Sequence, residues 1–499
     1  MNSSGSSYPT SRPSPAVGET SADGRPIVIV GGGLAGLAAA SALSQHRLPV
    51  TLLESRPRLG GRASSVVDAS TEMLIDTCQH VAMGCCTNFL QFCKQLNVAH
   101  CFCTAKQLNF VAPDGTIVPF AASKRPAPLH LTNSFMRLPY LTMHEKWQLA
   151  TGIRRLVKLT EQAAADLSFA DWLERNHQPS AVVERFWNVV LVSALSESSE
   201  RISTKYARQV IVEAFLRNRN GWQVYLPVQP LASIYDAMVR ELQSRGVTIR
   251  VQSGVQHLET ADDHIAAVVL RDGTRVPCAD CILAVSFDRV ENLLPHVLRD
   301  HPEMRGIKEL QASPISSVHI WFDRPICDLP HAVIVDRFSQ WMFNRTLIHA
   351  SGDASMPSPM RSDDLAASHY YQVVISASRN VVELDSEAAI GRVLDDLRDI
   401  WPAARSARVL QSRLMTDHRA VFSPLPGIDR HRPLQQSPIA NLQFAGDWTR
   451  TGWPATMESA VRSGFLAAEN ILRRRGGDYG RIVQPGLPTA RLGKWLLGL

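Results

Sequence analysis

One glycine turn, set between a strand and a helix near the start of the chain, constrains its folding more than any other feature. Pro26-Ile-Val-Ile-Val30 is an unbroken apolar run of mostly β-branched residues. That pattern reads as a strand of a parallel sheet buried on both faces. Gly31-Gly-Gly33-Leu34-Ala35-Gly36 comes next and holds G-x-G-x-x-G at Gly31, Gly33 and Gly36. Leu37 to Leu43 is Ala/Leu-rich and helical, and a second strand, Pro49 to Leu53, ends on Glu54. Gly31 permits the tight turn, Gly33 lets the backbone approach a pyrophosphate, and Gly36 lets helix and strand pack closely. The helix N-terminus offers unpaired N–H groups and the positive end of its dipole to the phosphates. Glu54, about twenty residues on, is placed to accept the hydroxyls of an adenosine ribose.

The residues after Glu54 distinguish two kinds of dinucleotide. Glu54-Ser55-Arg56 leads to Leu59-Gly60-Gly61-Arg62-Ala63-Ser64. This resembles the second signature of the amine oxidase and carotenoid desaturase flavoproteins, which simple NAD dehydrogenases lack. The resemblance implies FAD, with Gly60 and Gly61 giving backbone access to the diphosphate and Arg62 adding charge to it. A second half-site lies near the C-terminus. Asn441-Leu-Gln-Phe-Ala445 reads as a strand entering Gly446-Asp447, and Trp453-Pro454-Ala455-Thr456-Met457-Glu458 opens a helix to Leu472. Pro454 suits a first helical position and Glu458 the first turn. The resemblance gives Asp447 the ribityl chain and the helix N-terminus the pyrimidine side of the flavin ring. It also gives the backbone of Val255 the adenine, and the segment holding Gln79 and His80 a path along the flavin ring. The expected cofactor-binding residues are thus Gly31, Gly33, Leu34, Ala35, Gly36, Glu54, Ser55, Arg56, Gly60, Gly61, Arg62, Ala63, Gln79, His80 and Val255. Gly446, Asp447, Trp453, Ala455, Thr456 and Met457 complete the set.

Two half-sites more than 400 residues apart cannot belong to one continuous domain. The fold expected is α/β: a Rossmann-type FAD-binding domain, discontinuous in sequence, with an inserted α+β substrate domain, amine oxidase-like in plan. Residues 26–100, 220–285 and 430–475 are assigned to the FAD-binding domain, and 101–219 and 286–429 to the substrate domain. Leu231 to Arg245 reads as a helix and Gly246 to Val251 as a strand, with Val255 as a turn residue and Ala266 to Leu270 as a further strand. Residues 1–25, rich in Ser, Pro and Gly, read as disordered, and 476–499 as a basic amphipathic tail.

The stretch Phe444 to Glu458 looks like that of the hydroxysqualene dehydroxylases, the squalene-associated members of this flavoprotein group. Ile75-Asp76-Thr-Cys78-Gln79-His80, Ser313 to Pro325 and Gln340 to Arg345 are similar to it as well. Thr77-Cys78, Val189-Val190 and Ser196 depart from that family's usual residues. The likeness implies reduction of hydroxysqualene to squalene by reduced flavin, in sterol or hopanoid precursor synthesis. That chemistry needs an acid for the departing hydroxyl and a dry tunnel. The candidate acids are His80, then Asp76. Phe102, Phe110, Phe120, Phe135, Tyr140, Trp147, Trp172, Phe186 and Trp187 could line a tunnel or form the core of a helical cap. The alternatives are a phytoene-type carotenoid desaturase, a flavin monoamine oxidase, or a flavin-stabilised partner of squalene-pathway enzymes. Ser317, Val318 and His319 stand where an amine oxidase holds its lysine.

Nine cysteines, an odd number, and an ordinary apolar fraction of 45% suggest reduced thiols in a cytosol. Cys278 and Cys281 read as strand residues, and no metal site and no nucleic-acid partner are expected. The net charge is +6. From Arg473 onward, Arg473, Arg474, Arg475, Arg481, Arg491 and Lys494 face one acid, Asp478. A short helix capped by Thr489, with Leu492, Trp495, Leu496 and Leu499 on one side, would rest on an anionic membrane. The expected location is therefore cytoplasmic, peripheral to the inner face of the membrane.

Overall fold

The computed structural model describes residues 24–352, 368–476 and 480–498. Most of the segment expected to be disordered, residues 1–23, lies outside these, as do Asp478 and Leu499 of the tail.

A five-stranded parallel sheet organises the cofactor half. Its strands run, in order, Thr248–Arg250, Val50–Leu53, Ile27–Val30, Asp280–Leu283 and Leu442–Phe444. They come from three distant parts of the chain, so the domain is discontinuous, as its two half-sites require. Ile27–Val30 is central and fully buried. Ile27 and Ile29 point to one core with the helices, while Val28 and Val30 point to another under a three-stranded antiparallel sheet. Strand alternation, with both faces covered, explains the continuous apolar run.

The Leu34–Gln45 helix is buried on every side up to Ser44. It crosses the Met457–Arg474 helix at Gly464, where a Cβ would stand 2.2 Å from the Ala35 carbonyl oxygen. This crossing ties the last long helix of the chain to the first. Thr456, not Pro454, starts the Met457–Arg474 helix, and its hydroxyl accepts from the Ser459 N–H at 3.1 Å. Pro454 precedes the cap and is not in the first helical turn. Val255 is likewise not a turn residue. It opens the strand Val255–Ala261, paired antiparallel with His264–Leu270.

The second half is a seven-stranded sheet in the order Val409–Phe422, Ala312–Phe322, His369–Ile375, Trp341–Asn344, His331–Ile334, Leu108–Val111 and Ile117–Phe120. Every neighbour pair is antiparallel except His331–Ile334 with Leu108–Val111. The Ser386–Ile400 helix packs on this sheet, and helices between Thr132 and Leu216 form a cap beside it. Phe102–Ala105 pairs with Val224–Pro227 rather than with this sheet, so the N-terminal cofactor segment extends a few residues past 100.

The aromatic residues separate by environment. Trp172 and Trp187 are fully buried and pack with Phe169, with Trp187 also against Phe186. They are cap core. Phe102 packs edge-on against Phe89, and Trp147 is 65% exposed, so neither lines a tunnel. Phe110, Phe135, Tyr140 and Phe186 are half-buried at the rim of the main core.

The tail helix is Arg491–Leu497, with Ala490 at its N-cap and no side-chain cap bond. Thr489 therefore does not cap it; its Cγ2 instead lies near Gly493. Among the described residues no helix is long and apolar enough to cross a membrane. No group of metal-ligating side chains occurs among them either. All nine cysteines are free thiols.

Within the Ala312–Phe322 strand, His319 is buried and neutral. Its Nδ1 meets the Tyr370 hydroxyl at 2.7 Å and its Nε2 the Ser317 hydroxyl at 3.1 Å. Burial, with the nearby Arg345 charge, pushes its pKa down to about 3. The folded state thus resists a proton that the unfolded chain accepts near 6.5. Stability from neutral His319 is complete above that pH and is lost as pH falls toward 3. At pH 5 the loss is about 2 kcal/mol. We expect the melting temperature to fall between pH 7 and pH 5, and to fall less in His319→Gln. Equal slopes for the two proteins would refute this assignment.

Candidate functional site

The two half-sites converge at the C-terminal edge of the parallel sheet. Gly31 has φ +112°, and a Cβ on it would lie 2.5 Å from the Ala284 carbonyl oxygen. A Cβ on Gly36 would stand 2.0 Å from the Gly31 oxygen. These two glycines are required by the protein's own packing. Gly33 is different. Its φ is −77°, which any residue can adopt, and the nearest atom to an added Cβ is the Gly61 Cα at 3.8 Å. Gly33 and Gly60 are bridged, the Gly60 N–H donates to the Gly32 carbonyl at 2.9 Å, and Gly61 has φ +65°. Two backbone stretches without side chains thus face each other at the N-terminus of the Leu34–Gln45 helix. That is a cradle which a side chain would fill, and it fits a pyrophosphate.

Glu54 closes the cradle. One carboxylate oxygen accepts from the Gly32 N–H at 2.8 Å, the other from the Arg56 N–H at 2.8 Å and the Ser55 hydroxyl at 3.1 Å. Ser253 N–H donates to the Glu54 carbonyl at 2.8 Å, which brings the loop before Val255 beside Glu54. Arg62 forms an ion pair with Asp447 and donates to the Ala420 carbonyl at 3.1 Å. This guanidinium therefore joins the half-sites directly, beyond the diphosphate role expected of it. Gly446 has φ +148°, and a Cβ there would meet the Trp448 ring at 2.3 Å. The loop is shaped from behind by Arg432, fully buried, whose guanidinium donates to the Asp447 carbonyl at 2.9 Å and stacks on Phe422 at 4.8 Å. Ala455, Thr456 and Met457 stand at the N-terminus of the last long helix, and Trp453 lies under Arg462 at 5.2 Å.

The two acid candidates differ sharply. Asp76 is 3% exposed. One oxygen accepts from Ser65 at 2.7 Å and from the Leu231 N–H at 2.8 Å, so it anchors the start of the Leu231–Ser244 helix. The other accepts from Arg345 at 3.3 Å. A carboxylate this committed is a structural anchor, and its place argues against a role as proton donor. His80 is half-buried, and its Nδ1 lies 2.9 Å from the Cys78 carbonyl. A carbonyl can only accept, so Nδ1 carries the proton and Nε2 holds a lone pair. Among the described residues Nε2 has no hydrogen-bond partner. Burial, opposed by the Cys78 carbonyl and by Asp76, lowers the pKa of His80 below its ordinary value. The ring is therefore neutral near pH 7, which does not suit the acid expected at this position.

Arg345 is not among the residues expected at the site, although it ends the motif Gln340 to Arg345. Fully buried, it donates to Gln79 Oε1, to Asp76 and to His349 Nε2 at 2.7 Å. Gln79 in turn donates to the His80 carbonyl at 3.1 Å. An arginine directly after an apolar strand is the one signal the chain offers for it. Arg432 has none: apart from Asp429, three residues before it, its hydrogen-bond partners are Tyr206, more than 200 residues away, and the loop from Asp447 to Thr451.

The glycines separate two effects that one substitution would mix. Gly33→Val should fold, since its backbone and its first side-chain atom are accommodated, and should lose bound FAD at least tenfold. Gly36→Ala should lose the fold itself. Absorbance at flavin wavelengths together with the melting temperature checks both. Full flavin content in folded Gly33→Val would displace the cofactor from this cradle.

A family model described as flavin containing amine oxidoreductase matches residues 34–472. The 15-cis-phytoene desaturase of Solanum lycopersicum is 25% identical over 484 residues, covering 92% of this chain and 78% of that one. A probable zeta-carotene desaturase of Synechococcus elongatus is 26% identical over 499 residues, covering 89% and 98%. Among solved structures, an oxidoreductase from Methanosarcina mazei superposes with a TM-score of 0.67 at 18% identity, covering 90% of this chain and all of that one. Putrescine oxidase bound to putrescine gives 0.64 at 14%, covering 90% and 99%. A match running from the glycine turn to the last long helix decides the matter: this chain belongs to the flavin-containing amine oxidoreductases and, like them, depends on FAD.

Proposed function

We propose that the protein exchanges a hydride between its FAD and a carbon beside a double bond in a long isoprenoid chain, with His80 handling the accompanying proton. The observation that carries this reading is neutral His80, half-buried, with Nε2 unengaged and its loop braced by Arg345 and Gln79. Bound FAD would take up or supply the hydride. Phe110, Phe135, Tyr140 and Phe186, half-buried at the edge of the main core, are apolar surface against which a hydrocarbon chain could lie. The strand Ala312–Phe322 holds no lysine, which weighs against an amine oxidase.

Two directions are open to this chemistry. The phytoene and zeta-carotene desaturases among the relatives support the oxidative one, and it leads here. In that direction a C–H hydride leaves one carbon and His80 Nε2 accepts a proton from its neighbour, forming the new double bond. The lone pair on Nε2 suits this role. The second reading is reductive dehydroxylation of hydroxysqualene, favoured by the resemblance over Phe444 to Glu458 and Gln340 to Arg345. There His80 must first be protonated, and it then gives its proton to the departing hydroxyl, released as water.

The pH profile separates these readings, because the pKa of His80 lies below its ordinary value. A base must be neutral, so a desaturation rate should rise through that depressed pKa and be level at pH 7. An acid must be charged, so a dehydroxylation rate should fall with rising pH and be low at neutrality. His80→Ala should lower either rate by about a hundredfold with FAD retained. Product analysis completes the test. Conjugated polyenes from a phytoene-like chain with oxidised enzyme support the first reading, and squalene from hydroxysqualene with reduced enzyme the second. Full activity in His80→Ala would remove His80 from both. Asp76→Asn is a poor probe, since it unpairs buried Arg345 and costs stability.

A further inference from the structure

We propose that one face of the cap, built jointly by the Met143–Lys158 helix and the C-terminal Arg491–Leu497 helix, docks the protein on an anionic lipid bilayer. The sequence points to the tail alone; the fold adds a second and larger part. The tail is pinned to the cap rather than loose. Asn218 donates to the Pro488 carbonyl at 2.8 Å, and the Ala490 N–H to the Arg217 carbonyl at 2.9 Å. A Cβ on Gly493 would lie 3.8 Å from the Leu216 oxygen and 3.9 Å from Pro128. The tail helix packs against Met143–Lys158.

This places together large apolar side chains that water should not tolerate. Trp495 is 80% exposed, Trp147 65% and Met143 63%; Leu129, Met136 and Leu496 are exposed nearby in the chain. Met143 and Trp147 are four residues apart, on one outward stripe of their helix, and the His144 ring stacks beside Trp147 at 6.3 Å. Exposed tryptophans clustered with methionine and leucine mark an interaction site. An indole with its polar edge toward water suits the membrane interface.

Charge identifies the occupant. Between residues 116 and 160 there are seven Lys and Arg against one acid, Glu145. Glu145 is occupied in a capping box with Thr142, and six of the seven cations are exposed, the exception being Lys146. The tail helix adds Arg491 and Lys494 and no acid. Apolar side chains amid fixed positive charge match an anionic bilayer, where counter-charge and acyl chains are met at once. Docking of this kind does not depend on the direction of the reaction.

The tail should not be deleted to test this. Val483 is buried in the cofactor-side core, and its N–H donates to Glu469 at 2.9 Å. Point variants at exposed positions keep the fold, with flavin content and melting temperature as checks. The full-length FAD-loaded protein is sedimented with vesicles of phosphatidylcholine, with and without phosphatidylglycerol, at low and high salt. We expect binding only to the phosphatidylglycerol vesicles at low salt. Trp147→Asp and Trp495→Asp should each reduce the bound fraction, and together by about tenfold or more. Val297→Asp, a control at an equally exposed position elsewhere, should not change it. Loss in Trp495→Asp with none in Trp147→Asp would leave the tail acting alone and overturn the joint face. Equal loss in Val297→Asp, or no binding to anionic vesicles, would overturn the docking itself.

Discussion

The ion pair between Arg62 and Asp447 joins the two half-sites across 385 positions of chain. Arg62 comes directly after the glycine pair of the first half-site, and Asp447 lies just past the strand of the second. Arg432 donates to the backbone on the Asp447 side at 2.9 Å, and the Ser459 hydroxyl donates to the same carbonyl at 3.1 Å. Removing one partner of such a largely buried pair leaves an uncompensated charge, which is far worse than losing a surface bridge. The arrangement couples the completeness of the chain to the completeness of the site.

The last long helix reinforces that coupling. Glu458 is fully buried at its first turn, yet its carboxylate serves another helix, accepting from the N–H groups of Asn88 at 3.2 Å and Phe89 at 2.8 Å. Those are unpaired donors at the start of Thr87–Gln95, and a negative charge there also meets the helix dipole. Gly464 lets the same long helix press on Leu34–Gln45. A C-terminal segment thus satisfies the open ends and exposed faces that the N-terminal segment cannot satisfy for itself.

The region around His80 shows how burial sorts groups of the same type. Asp76 and Arg345 have spent their hydrogen-bonding capacity on the fold. His319 is held neutral between Ser317 and Tyr370, and His349 accepts from Arg345. Among the described residues His80 has no partner at Nε2, while its own carbonyl is held by Gln79. A proton-transfer group needs both properties: a rigid position and a free lone pair.

Local sequence was enough for the cofactor half. Glycines at Gly31, Gly33 and Gly36 after a buried strand, an acid at Glu54, and Gly60-Gly61-Arg62 are short-range patterns whose spacing is set by backbone geometry. The chain therefore announced a discontinuous α/β dinucleotide fold before any contact was known. Basic charge and aromatics in the tail were legible in the same way. Other matters belonged to the tertiary structure alone. That Asp76 is an anchor, that His80 is neutral, that Trp147 faces outward while Trp172 does not, and that Arg432 supports Asp447 all depend on which distant atoms surround each group. Burial and partnership are sums over neighbours that the sequence does not order, so the same residue types could be read from the chain while their protonation states and roles could not.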